Sequence, residues 1–207
     1  MGRLLGPKDR LARREGMDLF LHSVLSKRSG VIARDFPPGQ HGQNARGKTS
    51  NYGTQLREKQ KVKRIYGVLE RQFRNYFERA SKTKGVTGTE LLSLLERRLD
   101  NVVYRSGFAV TRAQARQMVA HGAAFVNGRR VNVPSYLVYA DDSIQLKVKP
   151  ERAKKIQETY VEIKDTTSRD WIEVNDKDLT AKVKRLPVRT DINFPVEEQL
   201  IVELYSK

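Results

Sequence analysis

The sequence predicts an α+β fold, in which a helical N-terminal domain with a basic arm is joined to an inserted module of two helices and a hairpin-rich small sheet. Three observations support this prediction. Apolar residues recur every three or four positions from residue 54 to residue 80, which indicates a helix. Thr111 and Gly122 bracket a second helical pattern, and Asn127-Gly128 follows it between apolar residues, which indicates a hairpin.

The N-terminal arm, residues 1–53, contains two predicted short helices, around Lys8–Glu15 and Leu19–Leu25, and then a stretch rich in Gly, Pro, Gln and Asn. Such a segment has few large apolar residues with which to offset the entropy lost on ordering its backbone. We therefore expect the arm to be poorly ordered alone and to become fixed when it binds a partner.

A long predicted helix begins near Thr54 and carries a cationic face beside its apolar stripe. The cations of this face are Arg57, Lys59, Lys61, Lys63 and Arg64. Only Glu58 interrupts them in the sequence, so the like charges should repel one another until a phosphate backbone relieves them. The alternative interpretation is an ordinary solvated helix face.

The module is predicted from local signals. Thr111 opens a helix with a capping box that Gln114 closes, and Gly122 lies where a left-handed residue would end that helix. Arg112 and Arg116 are four residues apart, share one face and are predicted to point outward together.

The hairpin follows this helix. Asn127-Gly128 tolerates the positive φ angles of a type I′ turn, and Arg129 and Arg130 come directly after it. Before the module, Thr87-Gly88-Thr89-Glu90 predicts a second capping box and a helix that continues to Val102. Basic side chains should therefore lie along the turn, while the preceding helix packs in the core.

The C-terminal part predicts a short helix near residues 152–158, strands around 160–163, 171–174 and 181–186, and a helix at 200–205. The predicted domains are the arm at 1–53, a helical domain at 54–96 completed by residues 150–207, and the module at 97–149. The last segment returns to pack near the helical domain in this scheme.

The formal net charge of +16 predicts a polyanionic partner, because each Lys or Arg that meets a phosphate releases a condensed counterion. The charge is unevenly placed. Residues 1–66 carry +10, residues 67–100 carry +2, residues 101–149 carry +5, and residues 150–207 carry −1. Nucleic acid is therefore the expected partner of the first three-quarters, and the last quarter is not expected to be primarily a nucleic-acid surface.

Several classes of site are not predicted. The chain has no cysteine, so disulfides and Cys-based zinc or redox sites are excluded, and the three histidines are too scattered to suggest a metal site. We find no nucleotide-binding fingerprint and no nucleophile-and-base pair, and we expect neither a cofactor nor catalysis. No signal peptide and no apolar run long enough to span a bilayer are visible, so a cytoplasmic protein is expected.

The same segments resemble a known family. RRLDNVVYRSG at 97–107 and the helix and hairpin after it are similar to the RNA-binding module of the ribosomal protein S-four family. The likeness extends to PPGQHG at 37–42, to residues 52–77 and to LIVELYSK at the end, and it indicates the bacterial type over nearly the whole chain. Some members carry a cysteine cluster for zinc near the N-terminus, which this chain lacks.

The resemblance implies a structural constituent of the small ribosomal subunit that is found in the cytoplasm. Such a protein is a primary binder of small-subunit (16S-type) ribosomal RNA at a multi-helix junction of the 5′ domain, nucleates assembly and supports translational accuracy. The expected protein neighbours are the fifth and third small-subunit proteins, with messenger RNA close by where it enters the subunit. Asp191, Glu197 and Glu198 are the candidate protein contacts.

The candidate RNA contacts are mostly cations of the arm, the long helix and the module, with a few polar or aromatic side chains. They are Arg3, Lys8, Arg10, Arg13, Arg14, Arg34, Gln40, His41, Arg46, Lys48, Tyr52, Arg57, Lys59, Lys61, Lys63, Arg64, Arg71, Arg112, Arg116, His121, Asn127, Arg129 and Arg130. Tyr52 and Tyr66 are both able to stack on bases, but Tyr66 is equally placed for the core. The PPGQHG segment is either an RNA contact or a plain turn.

Two alternatives belong to other classes. Arg98-Leu99-Asp100 is similar to a triplet that holds the catalytic aspartate of pseudouridine synthases, which suggests an RNA-modifying enzyme. However, Asp100 lies within a helical Leu and Val stripe, where it is expected to pair with Arg97 or to cap a backbone amide. The other alternative is an RNA chaperone that visits ribosomes without being a constituent of them.

Overall fold

A computed structural model describes residues 6–27, 32, 34–44, 50–164 and 170–206. The helices are α1 (Lys8–Glu15), α2 (Asn51–Ile65), α3 (Glu70–Lys82), α4 (Thr87–Glu96), α5 (Leu99–Arg105), α6 (Arg112–Ala120), α7 (Pro150–Ile163) and α8 (Glu198–Tyr205). The strands are β1 (Ala124–Val126), β2 (Arg129–Arg130), β3 (Ser143–Leu146), β4 (Ile172–Asn175) and β5 (Thr180–Val183). The α+β class predicted from the sequence is confirmed.

The chain divides into two compact units. The helical unit is drawn from residues up to Leu91 and from Phe194 onward, and the mixed unit runs from Leu92 to Asn193. In the helical unit α2 packs along α8, and the rings of Phe73 and Phe77 stack on Tyr205 with centroids 6.2 and 4.6 Å away. These aromatic contacts close the helical core.

The mixed unit is built on an antiparallel sheet with the strand order β2-β1-β3-β5-β4. Its core gathers apolar residues of α5, α6, α7 and the sheet around Trp171, which is 1% exposed. The pairing of Ile144 with Ala181 joins the C-terminal hairpin to β3. Residues 150–164 and 170–193 therefore lie in the unit that contains the module, whereas the sequence predicted that residues 150–207 complete the helical domain.

The long helix predicted from 54 to 80 is two helices. α2 begins after Ser50, whose hydroxyl accepts a hydrogen bond from the amide of Gly53. It ends at Ile65, and Gly67, two residues later, has a φ of +62°. The amides of Gly67 and Val68 then donate to carbonyls of the last turn, at Arg64 and Lys63. This ending requires a left-handed residue, and Gly67 supplies it.

The helix predicted from Thr87 to Val102 is also two helices. Arg98 has an extended backbone with φ −64° and ψ 135°, and it forms a β-bridge with Leu137. Thr87 is already helical, because the amide of Glu90 donates to the carbonyl of Val86. The predicted cap at Thr87 was therefore wrong by one residue. The break at Arg98 was not predicted, because the Leu and Val residues keep helical spacing across it.

Other local predictions had mixed outcomes. The predicted bounds of α1 and the helical C-terminus are confirmed, whereas residues 19–25 form turns and bends instead of a helix. The strand predicted at 160–163 is wrong, because α7 continues through it to Ile163. The strands predicted near 171–174 and 181–186 are confirmed as β4 and β5 with slightly different ends.

Candidate nucleic-acid interface

The arginines of α1 hold the loop at residues 36–42. The Nε and Nη2 atoms of Arg13 donate to the carbonyls of Phe36 and Pro37 at 3.1 and 3.3 Å, and Arg14 donates to the carbonyl of Pro38 at 3.1 Å. The guanidinium of Arg13 also lies 4.8 Å from the centre of the Phe36 ring. None of these partners is a carboxylate, so both arginines keep their positive charge available to an external anion.

The loop itself is a tight turn that presents polar groups. The amide of Gly42 donates to the carbonyl of Gly39 at 3.1 Å, and a Cβ at Gly42 would collide with the carbonyl oxygen of Pro37. Gln40 and His41 at its tip are exposed. The plain-turn interpretation thus describes the backbone, and the exposed tip remains a candidate contact.

Three further candidate residues of the arm are exposed, namely Lys8, Arg10 and Arg34. The guanidinium of Arg34 lies 6.0 Å from the centre of the Phe36 ring. Arg3, Arg46 and Lys48 lie outside the described residues. That the arm becomes ordered only on binding stays a prediction.

The cationic face of α2 is more neutralised than the sequence suggested. Arg57 and Arg64 both donate to one carboxylate oxygen of Glu15, the last residue of α1, and Lys61 pairs with Glu58. Glu15 is 42 and 49 residues away from these arginines in the sequence, so the expectation that only Glu58 interrupts the face was wrong. The ion pair of Glu15 also fastens α1 to α2.

A third carboxylate neutralises the other edge of this face. Lys59 and Lys63 each donate to Glu70 at 2.9 Å, and the hydroxyl of Tyr205 donates to the same carboxylate at 2.9 Å. Burial raises the pKa of Glu70, but the hydrogen bonds from Lys59, Lys63 and Tyr205 outweigh it and lower the pKa to about 2. The five cations of α2 thus meet three carboxylates and retain a positive excess.

The two candidate stacking residues, Tyr52 and Tyr66, differ in exposure. Tyr52 in the first turn of α2 is 59% exposed, which suits a stacking contact. Tyr66 is buried, with its ring edge-on to Phe194 at 6.0 Å between centroids, so it belongs to the core. Arg71 at the start of α3 is exposed.

In the mixed unit, the capping prediction for α6 is confirmed. The hydroxyl of Thr111 accepts a hydrogen bond from the amide of Gln114 at 3.1 Å, and the side chain of Gln114 accepts one from Val110 at 2.9 Å. Gly122 has φ +74° and follows the last turn as predicted. The positive φ favours glycine here, and a Cβ at Gly122 would also displace the guanidinium of Arg130.

Arg112 and Arg116 do not project outward together, and the prediction that they do was wrong. The Nε atom of Arg112 donates to Asn101 at 2.9 Å, and its guanidinium lies 4.4 Å from the centre of the Tyr104 ring. The side chain of Arg116 is only 12% exposed and approaches Asp100 at 3.4 Å. Both arginines are therefore anchored in the protein before any ligand binds.

The Arg-Leu-Asp triplet forms a buried ion pair instead of an open carboxylate. Nε and Nη2 of Arg98 donate to the two oxygens of Asp100 at 3.0 and 2.6 Å, and the Arg98 side chain is fully buried. The pairing predicted with Arg97 was wrong, because Arg97 donates to the carbonyl of Val138 at 3.0 Å. A carboxylate engaged in this way is poorly placed for catalysis.

A second buried carboxylate organises the same region. Glu96 is 0% exposed and accepts two hydrogen bonds from Arg105, at 2.9 and 2.6 Å, and one from Asn101 at 2.6 Å. Asn101 in turn accepts from Arg112. Asp100 and Glu96 thus hold the guanidinium groups of Arg98, Arg116 and Arg105, a feature that charge counting along the sequence could not reveal.

The hairpin carries its basic residues as predicted. Asn127 and Gly128 have φ of +48° and +78°, and the Asn127 side chain bonds Asp142 and the amide of Ser143. Asn127 therefore stabilises the turn. Arg129 is exposed, so it remains the least committed cation of the hairpin.

Arg130 is exposed as well, but its guanidinium is held against the end of α6. Its Nε and Nη2 atoms donate to the carbonyls of Gly122 and His121 at 2.9 and 3.2 Å. His121 is itself exposed. The end of α6 and the hairpin therefore present one connected basic edge.

Sequence reasoning missed a second kind of feature in the mixed unit. The guanidinium of Arg97 lies 4.7 Å from the ring centre of Tyr139, which is 57% exposed, and the ammonium of Lys147 lies 4.4 Å from that of Phe125. Cation–π pairs join residues that are distant in the sequence, so no local sequence pattern predicts them.

The candidate protein contacts fall into two groups. Asp191 is 3% exposed and accepts two hydrogen bonds from Arg185, at 2.6 and 2.8 Å, and one from the amide of Val188. These hydrogen bonds, above all those from Arg185, lower the pKa of Asp191 although burial opposes them. Glu197 is exposed and, with Glu198, lines an open pocket of about 840 Å³ in the helical unit.

Within the described residues, no group of His, Cys, Asp and Glu is arranged to hold a metal ion. No described helix combines the length and the apolar character that crossing a bilayer requires.

Comparison with known proteins agrees with this geometry. Residues 3–96 match the family described as "Ribosomal protein S4/S9 N-terminal domain", and residues 97–144 match the "S4 domain". The protein named small ribosomal subunit protein uS4 from Trichlorobacter lovleyi is 53% identical, over 100% of both chains. The chain belongs to the uS4 family.

Other members are similarly close. The proteins of the same name from Thermodesulfovibrio yellowstonii and Caldicellulosiruptor saccharolyticus are 53% and 54% identical, again over 100% of both chains. The boundary between the two family matches, at residues 96 and 97, falls at the break between α4 and α5. The uS4 signature thus covers both the helical unit and the module.

Proposed function

We propose that this protein is a structural constituent of the small ribosomal subunit and that it binds small-subunit ribosomal RNA. The observation that carries the proposal is the combination of full-length uS4 similarity with exposed cations in both units. Those described by the structure include Lys8, Arg10 and Arg71 in the helical unit and Arg129 in the hairpin. Most of their charge is available to phosphate, the sequence-independent part of any RNA.

The finer proposal is that the RNA target is a multi-helix junction in the 5′ domain. RNA helices that meet at a junction repel each other, and cations inserted between them lower that repulsion. A protein with basic surface on two units is suited to hold such helices together and so to nucleate assembly. Recognition would depend on backbone shape, with Tyr52 as a candidate for stacking on an unpaired base.

The RNA site therefore combines two kinds of residue. Exposed candidates contact RNA directly, whereas Arg112 and Arg116 order the surface of the module from beneath and contribute long-range charge. Asn127 belongs with the second group, because its side chain is used by the turn. We keep Arg13, Arg14, Gln40, His41, His121 and Arg130 as contacts on the grounds of their charge or exposure.

We propose that the C-terminal acidic residues contact neighbouring small-subunit proteins, the fifth and the third, near the path of messenger RNA, and thereby support accuracy. Glu197 and Glu198 line an open pocket together with apolar residues, which suits a basic segment with an apolar anchor. Asp191 would act indirectly, because its carboxylate is already engaged by Arg185.

Chemical footprinting of the purified chain on naked small-subunit RNA tests the RNA target. We expect protected nucleotides to cluster where several helices of the 5′ domain meet. Protection scattered over unrelated helices would contradict the junction proposal. The number of copies in salt-washed subunits tests the structural role, because a constituent is present once per subunit and a visiting chaperone is substoichiometric.

The enzymatic alternative has its own test. RNA that carries tritium on its uridines should release none of it when it is incubated with the protein, because Asp100 is paired with Arg98 inside the module. Release that depends on Asp100 would overturn the structural assignment.

A further inference from the structure

Glu15 occupies an unusual place for a carboxylate. It is the last residue of α1, and its side chain is 0% exposed beneath α2. Its Oε1 atom accepts a hydrogen bond from Arg57 Nη1 at 3.2 Å and another from Arg64 Nη1. One oxygen of one buried carboxylate thus receives two guanidinium groups.

Three features make this a poor environment for a negative charge. Burial raises the pKa of Glu15, and Arg64 and Arg57 offset only part of that shift. Its second oxygen, Oε2, is buried and has no hydrogen-bond partner among the residues that the structure describes. The C-terminal end of a helix also carries a partial negative charge, which disfavours a carboxylate there. Glu15 is therefore held mainly by the two arginines.

The arginines, in contrast, are arranged like a site for an oxyanion. Arg57 and Arg64 are seven residues apart on α2, so their side chains converge on one point along one helix face. Lys61, which also pairs with Glu58, lies close enough to lower the pKa of Glu15, and it completes an i, i+4, i+7 row. The Arg57 side chain is 37% exposed, so an anion in solution can reach the site without unfolding the unit.

We propose that Glu15 fills a phosphate site formed by Arg57, Lys61 and Arg64 in the absence of RNA, and that an RNA phosphodiester displaces it on binding. The inference rests on the proposed RNA-binding function and specifies one of its contacts. A phosphodiester offers two anionic oxygens to converging guanidinium groups and remains ionised, whereas the buried carboxylate gains a full hydration shell when it leaves. Displacement also releases the end of α1 from α2, so that the arm is able to follow the RNA.

The test compares full-length variants in binding naked small-subunit RNA across a series of salt concentrations. Glu15→Gln removes the competing charge and keeps the size of the side chain. Glu78→Gln is the matched control, because it removes the same charge from an α3 side chain that is 56% exposed and paired with Arg74. Circular dichroism and thermal unfolding check that each variant is folded.

We expect Glu15→Gln to bind about tenfold more tightly than the wild type, which corresponds to about 1.4 kcal/mol, and Glu78→Gln to change affinity by less than about twofold. Adding Arg57→Gln to Glu15→Gln should remove the gain. Weaker binding by Glu15→Gln would overturn the inference, because Glu15 would then position the arginines instead of competing for them. Equal effects of Glu15→Gln and Glu78→Gln would overturn it too, since only net charge would matter.

Glu15→Asp provides the same test if the glutamine variant does not fold. It keeps the charge and withdraws the carboxylate by one methylene, so we expect tighter binding than the wild type, and unchanged or weaker binding would overturn the inference. The two proposals fail differently. If the wild type does not bind the RNA, the proposed function fails. If binding is salt-sensitive but substitution of Glu15 does not change it, only this inference fails.

Discussion

Replacing Asp100 by asparagine should destabilise the mixed unit strongly. The Asp100 side chain is 6% exposed, and its two oxygens accept hydrogen bonds from Arg98, whose side chain is fully buried. Removing one partner of a buried ion pair typically destabilises by about 3–5 kcal/mol. Asparagine keeps the volume and one acceptor oxygen, so we expect the lower end of that range, about 3 kcal/mol.

Urea unfolding followed by tryptophan fluorescence measures this effect in the right place. Trp171 is the single tryptophan of the chain and lies 1% exposed in the core of the mixed unit, so its signal reports that unit. With a denaturant slope of about 2 kcal/mol/M, a loss of about 3 kcal/mol moves the midpoint by about 1.5 M.

Asp141→Asn is the control, because the Asp141 side chain is 83% exposed and its ion pair with Lys182 is long, at 3.6 Å. A surface change of this kind should alter stability by no more than about 0.5 kcal/mol. If Asp100→Asn shifted the midpoint no further than Asp141→Asn, the buried pair would not stabilise the module, and the argument against a catalytic Asp100 would lose its main support.

Three further predictions concern other parts of the chain. The stability of the helical unit should fall as the pH drops from about 4.5 towards about 2, because the pKa of Glu70 is lowered from 4.5 to about 2 in the folded chain. Glu70→Gln should flatten this part of the plot of stability against pH, measured by circular dichroism. Gly128→Ala should destabilise the mixed unit by about 1 kcal/mol in the same fluorescence assay, since alanine is strained at φ +78°, and no shift would contradict the turn. Asp191→Asn should lower the stability of the mixed unit by about 2 kcal/mol, because it breaks a charge-assisted pair with Arg185. Altered translational accuracy with an unchanged urea midpoint would instead assign Asp191 to a direct contact with a neighbouring protein.

Local signals in the sequence predicted the elements that have local causes. Thr111, Gly122 and Asn127-Gly128 fix the ends of α6 and the hairpin through their own backbone preferences, and the structure confirms each of them. The same logic would have found the break after α2 at Gly67, but the continuing apolar stripe favoured one helix. Periodicity reports which face is buried and does not report where a helix turns.

Non-local partners account for most of what the sequence did not predict. Glu15 neutralises Arg57 and Arg64 from more than 40 residues away, so charge counting along α2 overestimated its positive face. Similarly, Asp100 holds Arg116, which patterning placed on an outward face. Which cations are available to a phosphate thus depends on tertiary contacts. The family resemblance therefore identified the function but not the residues that contact RNA.

The most direct test of RNA binding through exposed cations is the salt dependence of affinity for naked small-subunit RNA. The logarithm of the association constant should fall steeply and linearly with the logarithm of salt concentration, with several counterions released. Arg129→Gln should reduce the slope by about one, whereas Lys184→Gln, a control in the near-neutral C-terminal segment with a 55% exposed side chain, should leave it unchanged. A flat salt response of the wild type would contradict the account.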